Sequence, residues 1–190
     1  MNSFDIIVQR AKSIVKDAEN WSLTVDERRQ LFRCVAIVLD QEGYSSSAFH
    51  VMFSCLKLYE ATDSLAGTEN DARRCVILAM KAVDVINFAE LVTLPVVKNL
   101  TQTHAKVFSL LNLFTSSTAQ EFKQKMAEFA DLMTTEGLTE NELIVKKSYV
   151  IVCSFDTSKT NHSYTELSEK LNVSVPAAFL FINLIFFPFL

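Results

Sequence analysis

The chain holds few of the side chains from which catalytic or metal sites are built. Its three histidines lie in different segments, and none stands beside a patterned carboxylate or cysteine: His50, His104 and His162. The sequence contains no glycine-rich phosphate loop, no GxSxG elbow and no HExxH motif. With only 3 glycines, a loop that wraps a phosphate is disfavoured. The sequence predicts no catalytic residue, no metal site, no cofactor and no enzymatic activity.

Glu140 and Glu142 form a carboxylate pair whose spacing would suit an acid and a base. They follow Thr139, which with Glu142 has the spacing of a capping box at the start of a helix. Negative charge in the first turn of a helix is favoured by the helix dipole. We therefore expect this pair to stabilise a helix start.

Two basic pairs, Arg73 with Arg74 and Lys146 with Lys147, are the positions at which RNA or an acidic partner would bind. No basic stripe extends either pair, and the net charge of the chain is -4. We expect each pair to lie on a solvated helix face. No nucleic-acid site is predicted.

The four cysteines lie 20 or more residues apart and lack the CxxC spacing of zinc sites. We expect all of them to be reduced and buried in helical faces: Cys34, Cys55, Cys75 and Cys153. The charged N-terminal segment is unlike a signal peptide, which predicts a cytoplasmic protein. Glycosylation is then not expected at the sequons, which begin at Asn20, Asn99, Asn161 and Asn172.

Trp21 precedes a helix start and has two interpretations. It can pack the entry of that helix against the preceding helix, which is the interpretation we favour. The alternative is an exposed anchor for a partner protein.

The composition predicts an all-α protein. Hydrophobic residues make up 49% of the chain, and glycine and proline number 3 each. Four capping boxes predict helix starts: Thr24 with Glu27, Thr118 with Glu121, Thr139 with Glu142, and Ser163 with Glu166. Together with the helical spacing of apolar residues, they predict about ten helices in stacked hairpins and no extended sheet.

Several helix boundaries follow from local signals. Gly43 and Gly137 are expected to end helices in the left-handed conformation, and Pro95 to separate two short helices. Ser45 to Ser47 are predicted to cap the third helix. The fourth is predicted to continue through Val83, and one helix to extend from Thr118 to Gly137.

Several ordered blocks of the sequence resemble the PCI-domain family. They are NWSLTVDERRQLFRCVAIVLD, HVMFSCLKLYE, ARRCVILAMK, NFAELVTLPVVKNL and EFADLMTTEGLTENELIVKKSYVI. The most specific parts are Trp21 with Leu23 and Thr24, the run from Ala72 to Cys75, and the segment around Pro95. The resemblance extends from about Asn20 to Ser174.

This resemblance implies an irregular right-handed stack of helical hairpins that leads into a winged helix. Residues 1–155 would form the helical repeat, and residues 156–174 the start of the winged helix. Family members are non-catalytic scaffolds. The resemblance also implies a subunit of the translation initiation factor three complex, associated indirectly with the small ribosomal subunit. A PCI subunit of the COP9 signalosome is the alternative within this class.

Residues 175–190 depart from the family pattern, which would continue with an amphipathic helix and a β-hairpin wing. This segment has no charge and one amide, Asn183. We favour a shortened isoform or a mispredicted gene end, and we keep a fully buried core helix as an alternative. A function of another class would be a tail-anchored membrane protein, although 16 apolar residues are few for a span.

Overall fold

The computed structural model describes residue 10 and residues 13–60, 63–154 and 163–186, with the backbone alone for residues 181–186. Every regular element in this part of the chain is a helix, and no strand occurs in it. The predicted all-α class is therefore confirmed.

The chain divides into two compact units, Met1–Leu111 and Asn112–Leu190. The first begins with helical residues 13–17 and continues with α1 (Val25–Gln41), α2 (Ser45–Lys57), α3 (Glu69–Lys81), α4 (Ala89–Thr93), α5 (Pro95–Lys98) and α6 (Leu100–Thr103). Helix α7 (Ala105–Ser116) contains the boundary. The second unit continues with α8 (Ala119–Lys125), a 3-10 turn (Met126–Phe129), α9 (Ala130–Glu136), α10 (Glu140–Cys153), α11 (Tyr164–Leu171) and α12 (Val175–Phe186).

Helices α1, α2 and α3 form the apolar core of the first unit. Three residues connect α1 to α2, so the two helices form an antiparallel hairpin. The most deeply buried side chains are small or flexible, which allows the helices to approach closely. They include Ala36, Leu39, Met52, Cys55, Leu56, Ala72, Cys75, Val76 and Ala79.

The turn between α1 and α2 is set by one glycine. Gly43 adopts the predicted left-handed conformation (φ 82°), and the Tyr44 amide donates back to the Leu39 carbonyl over 2.9 Å. Because this turn is so tight, α2 begins at once and its N-cap is Tyr44, without a side-chain bond. The prediction that Ser45 to Ser47 cap this helix is wrong, since all three lie in its first turn.

The structure tests two further predicted helix boundaries, one at the end of α3 and one at Pro95. Helix α3 ends at Lys81, where Ala82 turns to an extended conformation (ψ 120°), and Val83 is left 77% exposed. The prediction that α3 continues through Val83 is therefore wrong. The prediction for Pro95 is confirmed, because Leu94 is extended (ψ 134°) and separates α4 from α5.

The helix predicted from Thr118 to Gly137 is divided by the 3-10 turn into α8 and α9. Its predicted apolar residues are nevertheless buried, namely Phe122, Met126, Phe129 and Met133. A 3-10 turn has three residues per turn, so it shifts the following side chains relative to the helix before it. Gly137 ends α9 in the left-handed conformation (φ 62°), as predicted.

Three predicted capping boxes are complete: Thr24 with Glu27, Thr118 with Glu121, and Thr139 with Glu142. At the fourth, the Ser163 hydroxyl accepts the Glu166 amide over 3.1 Å. Hydrogen bonding to Thr24 and Thr118 lowers the pKa of Glu27 and Glu121, respectively.

A polar clasp within the first unit ties α1 to the chain around α3. Arg33 Nε donates to Oδ2 of the buried Asp71 over 2.6 Å, and Nη2 forms an ion pair with the same oxygen at 2.6 Å. One turn earlier, Arg29 pairs with Asp63, donates to the Leu58 carbonyl and lies 3.9 Å from the Tyr59 ring centre. These two guanidinium groups thus connect α1 to polar groups of α3 and of the segment between α2 and α3.

The Arg33 to Met substitution tests the clasp. It keeps an apolar stem but leaves the Asp71 carboxylate buried without its main partner, so we expect a loss of about 3 kcal/mol in the free energy of unfolding. The matched control is Arg74 to Met, because Arg74 makes a longer and more exposed pair with Asp40 (3.6 Å). Urea unfolding should show that the control loses about 1 kcal/mol or less. Equal losses in the two variants would contradict the account.

Candidate protein-contact site

The last two described helices form a helix-turn-helix whose turn is defined by local signals. Helix α11 begins after Ser163 and ends at Asn172, which adopts the left-handed conformation (φ 52°). The Val173 amide then donates to the Ser168 carbonyl over 3.0 Å, a helix ending of the Schellman type. Ser174 follows, and its hydroxyl accepts the Ala177 amide at the start of α12.

Helix α12 packs lightly on its neighbours. Ala178 is fully buried against Leu167 of α11, and the partly buried Ile151 and Val152 of α10 complete this small cluster. At the edge of the cluster, the rings of Tyr164 and Phe179 meet edge to face with 5.2 Å between their centres. Within residues 175–180 of α12, whose side chains are described, Ala178 and Phe179 thus contact the neighbouring helices.

The outer side of this helix pair is an exposed apolar surface. Leu180 is 67% exposed and Phe179 is 47% exposed. We use the name C-terminal apolar patch for five exposed residues on or between the two helices: Tyr164, Val173, Val175, Phe179 and Leu180. Clustered apolar exposure of this kind marks protein-contact surfaces more often than it marks an inert surface.

The alternatives for the end of the chain can be compared with this geometry. Residues 175–186 form a helix, which begins as the second member of a helix-turn-helix, but the exposed residues show that its first half is not the fully buried core helix kept as an alternative. In the described part of the chain, no helix combines the length and the apolar character needed to cross a membrane. Residues 187–190 lie outside the described residues.

Lys147 is the main polar feature of the second unit, and its burial contradicts the sequence prediction. Lys146 and Lys147 were expected on a solvated face, but both are buried, Lys147 to 3% exposure. Lys147 Nζ donates over 2.7 Å to the carbonyl of Phe114, in the last turn of α7. A cation at this position satisfies a helix-end carbonyl and complements the helix dipole.

Burial lowers the pKa of Lys147 to about 8, and the charge of Glu121 opposes this shift in part. The ammonium group also lies 5.9 Å from the ring centre of Phe122, which packs edge to face on Phe114. The buried stripe of α10 therefore consists of Leu143, Lys146 and Lys147. A pattern search that counts lysine as an exposed residue misses this stripe, although its spacing of three and four residues is visible in the sequence.

The residues considered for chemistry do not converge. His50 lies 3.0 Å from Asp84 on an exposed face, His104 follows α6, and His162 lies outside the described residues. No group of three potential metal ligands occurs in the described part of the chain. Glu140 and Glu142 lie in the first turn of α10, as expected for a helix start.

Two of the four cysteines are buried and two are exposed. Cys55 and Cys75 are buried as predicted, and burial raises the pKa of Cys55 to about 11 and raises the pKa of Cys75 well above its ordinary value. Cys34 and Cys153 are exposed, so the prediction of burial is wrong for these two, which lie on the outer sides of α1 and α10.

Arg73 and Arg74 are half-buried, and Arg74 pairs with Asp40, so the prediction of a solvated face is only partly met. Trp21 is 48% exposed, which leaves part of its ring available as the anchor kept as an alternative.

A cleft of about 480 Å³ lies in the second unit between α8, α10 and α11. Its lining consists of Thr118, Gln120, Ile151, Ser154, Glu169, Lys170 and Asn172. These described lining residues include neither histidine nor cysteine, and the cleft is open to solvent. Nothing in this set pairs a nucleophile with a base in the way that covalent catalysis requires.

The sequence of the chain is similar to those of translation initiation factor subunits from several organisms. The chain is 27% identical over 154 residues to eukaryotic translation initiation factor 3 subunit M of Nematostella vectensis, covering 81% of this chain and 40% of that protein. Subunit M of Homo sapiens is 23% identical over the same shares, and that of Pyricularia oryzae is 18% identical over 89% and 41%. The chain spans about two-fifths of the length of these curated relatives.

No family model matches the chain. The names of these relatives agree with the predicted resemblance to a subunit of the initiation factor, and the PCI domain itself stays a prediction. The chain is thus similar to subunit M proteins at low identity over about four-fifths of its length.

The pKa of Lys147 predicts a pH dependence of stability. Its pKa is about 8 in the folded chain and about 10.5 in the unfolded chain, so the unfolded chain binds more protons between these values. The contribution to stability is present above pH 10.5 and is lost as the pH falls through 8. From pH 7 to pH 10.5, the free energy of unfolding of wild type should rise relative to that of Lys147 to Met by about 3 kcal/mol.

Urea unfolding at the two pH values measures this difference. The matched control is Lys123 to Met, because Lys123 is exposed on α8. Comparison of variants is essential, since the raised pKa of Cys55 acts in the opposite direction over the same range. The account fails if Lys147 to Met and Lys123 to Met show the same pH dependence.

Proposed function

We propose that this chain is a non-enzymatic scaffold subunit of the eukaryotic translation initiation factor three complex, which supports translation initiation in the cytoplasm through contacts between proteins. The observation that carries the proposal is the similarity to subunit M proteins over 81% of the chain. The relatives are named as subunits of this factor, and the proposed role follows from that name. Because the chain spans about two-fifths of their length, membership of the complex is part of the proposal.

The helical architecture supports a role in contacts between proteins. Short antiparallel helices in the first unit bury their apolar sides against one another and leave polar outer faces. Surfaces of this kind present several helices to a partner without enclosing a substrate. The half-exposed Trp21 at the entry of α1 offers the type of large aromatic side chain that anchors protein interfaces.

The arrangement of ionisable groups also supports a scaffold. Two charged side chains have structural partners: the partly exposed Arg33 pairs with the buried Asp71, and the buried Lys147 donates to the Phe114 carbonyl near the end of α7. Both are engaged in contacts between segments of the chain. Charged residues with structural partners of this kind are expected in a scaffold protein.

We propose the domain boundaries on the same basis. Residues 1–155 correspond to the helical repeat of a PCI domain, and residues 156–174 begin a winged helix. The turn at Asn172 and the start of α12 at Ser174 support a helix-turn-helix at this position. The apolar residues 175–190 then take the place of the second helix and the wing.

Affinity purification of the tagged full chain from cells tests the proposed membership. We expect other subunits of initiation factor three to be recovered, because 81% of the chain is similar to subunit M of this factor. Mass spectrometry of the eluate identifies the partners. Trp21 to Ala should reduce recovery at least tenfold if this ring anchors a partner. Val83 to Ala is the control, since Val83 is also exposed but lies in a different loop.

The same eluate separates the alternatives. Recovery of COP9 signalosome subunits without initiation factors would replace the proposal by its alternative in the same class. Retention of the chain in membranes after carbonate extraction would favour the tail-anchored alternative and contradict the proposed cytoplasmic role.

A further inference from the structure

We propose that the turn before α1 is a docking site for a basic segment of a partner protein, whose lysine or arginine side chains lie among its carboxylates and against the ring of Trp21. For the identity of the partner, this inference rests on the proposed function, and it adds the chemistry that the partner must present. We use the name acidic turn for residues 17–27, which extend from the end of the first helical residues to the first turn of α1.

The acidic turn combines exposed apolar side chains with charge of one sign. Trp21 is 48% exposed and Val25 is 42% exposed. No lysine or arginine lies in the turn, and its carboxylates are those of Asp17, Glu19, Asp26 and Glu27. The charge of this short segment therefore equals the net charge of the whole chain, which is -4. A positively charged partner is attracted to such a surface, and a negatively charged one is repelled.

The nearest buried cation does not cancel this charge. Arg29 pairs with Asp26 over 2.9 Å, but the Arg29 side chain is only 13% exposed while that of Asp26 is 84% exposed. Arg29 also pairs with Asp63, so two carboxylates share its single charge. A hydrogen bond from the Thr24 amide lowers the pKa of Glu27, which keeps this carboxylate ionised at neutral pH. The exposed side of the turn is therefore negative.

Helix stability explains only part of this acidic character. Asp26 and Glu27 lie in the first turn of α1, where the helix dipole favours negative charge. Asp17 is the last of the helical residues 13–17, and the dipole disfavours a carboxylate at that end of a helix. The exposed Lys16 and Glu19 on either side of Asp17 carry opposite charges and leave its charge uncompensated. A side chain placed against the preference of its own helix is expected where it serves a contact with another molecule.

A basic protein segment fits both features of the turn. Indole is the side chain that attracts a cation most strongly through its ring face, and carboxylates form charge-assisted hydrogen bonds with lysine and arginine. The aliphatic stems of these residues can cover the exposed parts of Trp21 and Val25. A nucleic acid would bring phosphates against the carboxylates, and a purely apolar segment would leave the carboxylates without a partner.

Fluorescence titration of the purified full chain tests the site itself. Trp21 is the single tryptophan of the chain, so its fluorescence reports binding at the acidic turn. The probe is a short peptide of alternating lysine and leucine residues, which should shift the emission of wild type. The double variant Asp17→Lys with Glu19→Lys should bind the peptide at least tenfold more weakly. A peptide of alternating glutamate and leucine residues should not bind.

A matched control separates the site from net charge alone. Glu42→Lys with Glu128→Lys makes the same change in net charge at two exposed residues outside the acidic turn, and it should bind the lysine peptide as wild type does. The circular dichroism of both double variants should match that of wild type, since all four positions are exposed.

Affinity purification tests the partner. We expect the recovery of initiation-factor subunits to fall at least tenfold as the salt concentration rises from about 50 mM to about 500 mM, because salt screens exposed charges. A carbodiimide, which joins carboxylates to amines, should cross-link Asp17 or Glu19 to lysines of a recovered subunit. The variant Asp17→Lys with Glu19→Lys should lose this recovery, and the control variant should keep it.

Three outcomes would overturn the inference. They are a lysine peptide that leaves the wild-type emission unchanged, equal affinities of the two double variants for this peptide, and full recovery of initiation-factor subunits by Asp17→Lys with Glu19→Lys. A different result would contradict the proposed function alone. In that case wild type recovers no initiation-factor subunit, while peptide binding still depends on Asp17 and Glu19.

Discussion

The structure depends on one constraint, which is that each helix is too short to be stable alone and must bury its apolar side against a neighbour in the chain. Helices α1, α2 and α3 meet this constraint with alanine, cysteine and methionine at their closest approach, notably Ala36, Met52 and Cys75. Small side chains allow short distances between the helices, and short connections place the next helix within reach. The helix boundaries, the buried charges and the exposed patch all follow from how each segment meets this constraint.

Each unit also contains one contact between segments that involves a cation and a buried polar group. In the first unit, Arg33 neutralises the buried Asp71, and in the second, Lys147 satisfies the end of α7. A buried charge of this kind adds little net stability compared with an apolar pair, but the loss of one partner is costly. Such contacts therefore specify which helices meet, and the apolar burial around them provides most of the free energy.

Much of this arrangement is visible in the sequence, because local signals act within one turn of a helix. The threonine caps, Gly43, Gly137 and Pro95 depend on neighbouring residues alone, and the structure places each as predicted. The error at Lys147 arises where a distant contact decides. Lys147 is buried because the carbonyl of Phe114 lies beside it, and no pattern within α10 indicates that contact.

The C-terminal apolar patch was equally hidden, since sequence shows that residues 175–190 are apolar but not which of them are covered. In the structure Ala178 is buried and Leu180 is exposed, so the two sides of the first half of α12 can be told apart.

Hydrogen–deuterium exchange of the purified chain tests the central claim most directly, because it measures whether α12 is a helix that must be covered. The account predicts that the amides of residues 178–186 are protected, because α12 packs through Ala178 on Leu167 of α11. Exchange of these amides at the rate of an unfolded peptide would contradict the account.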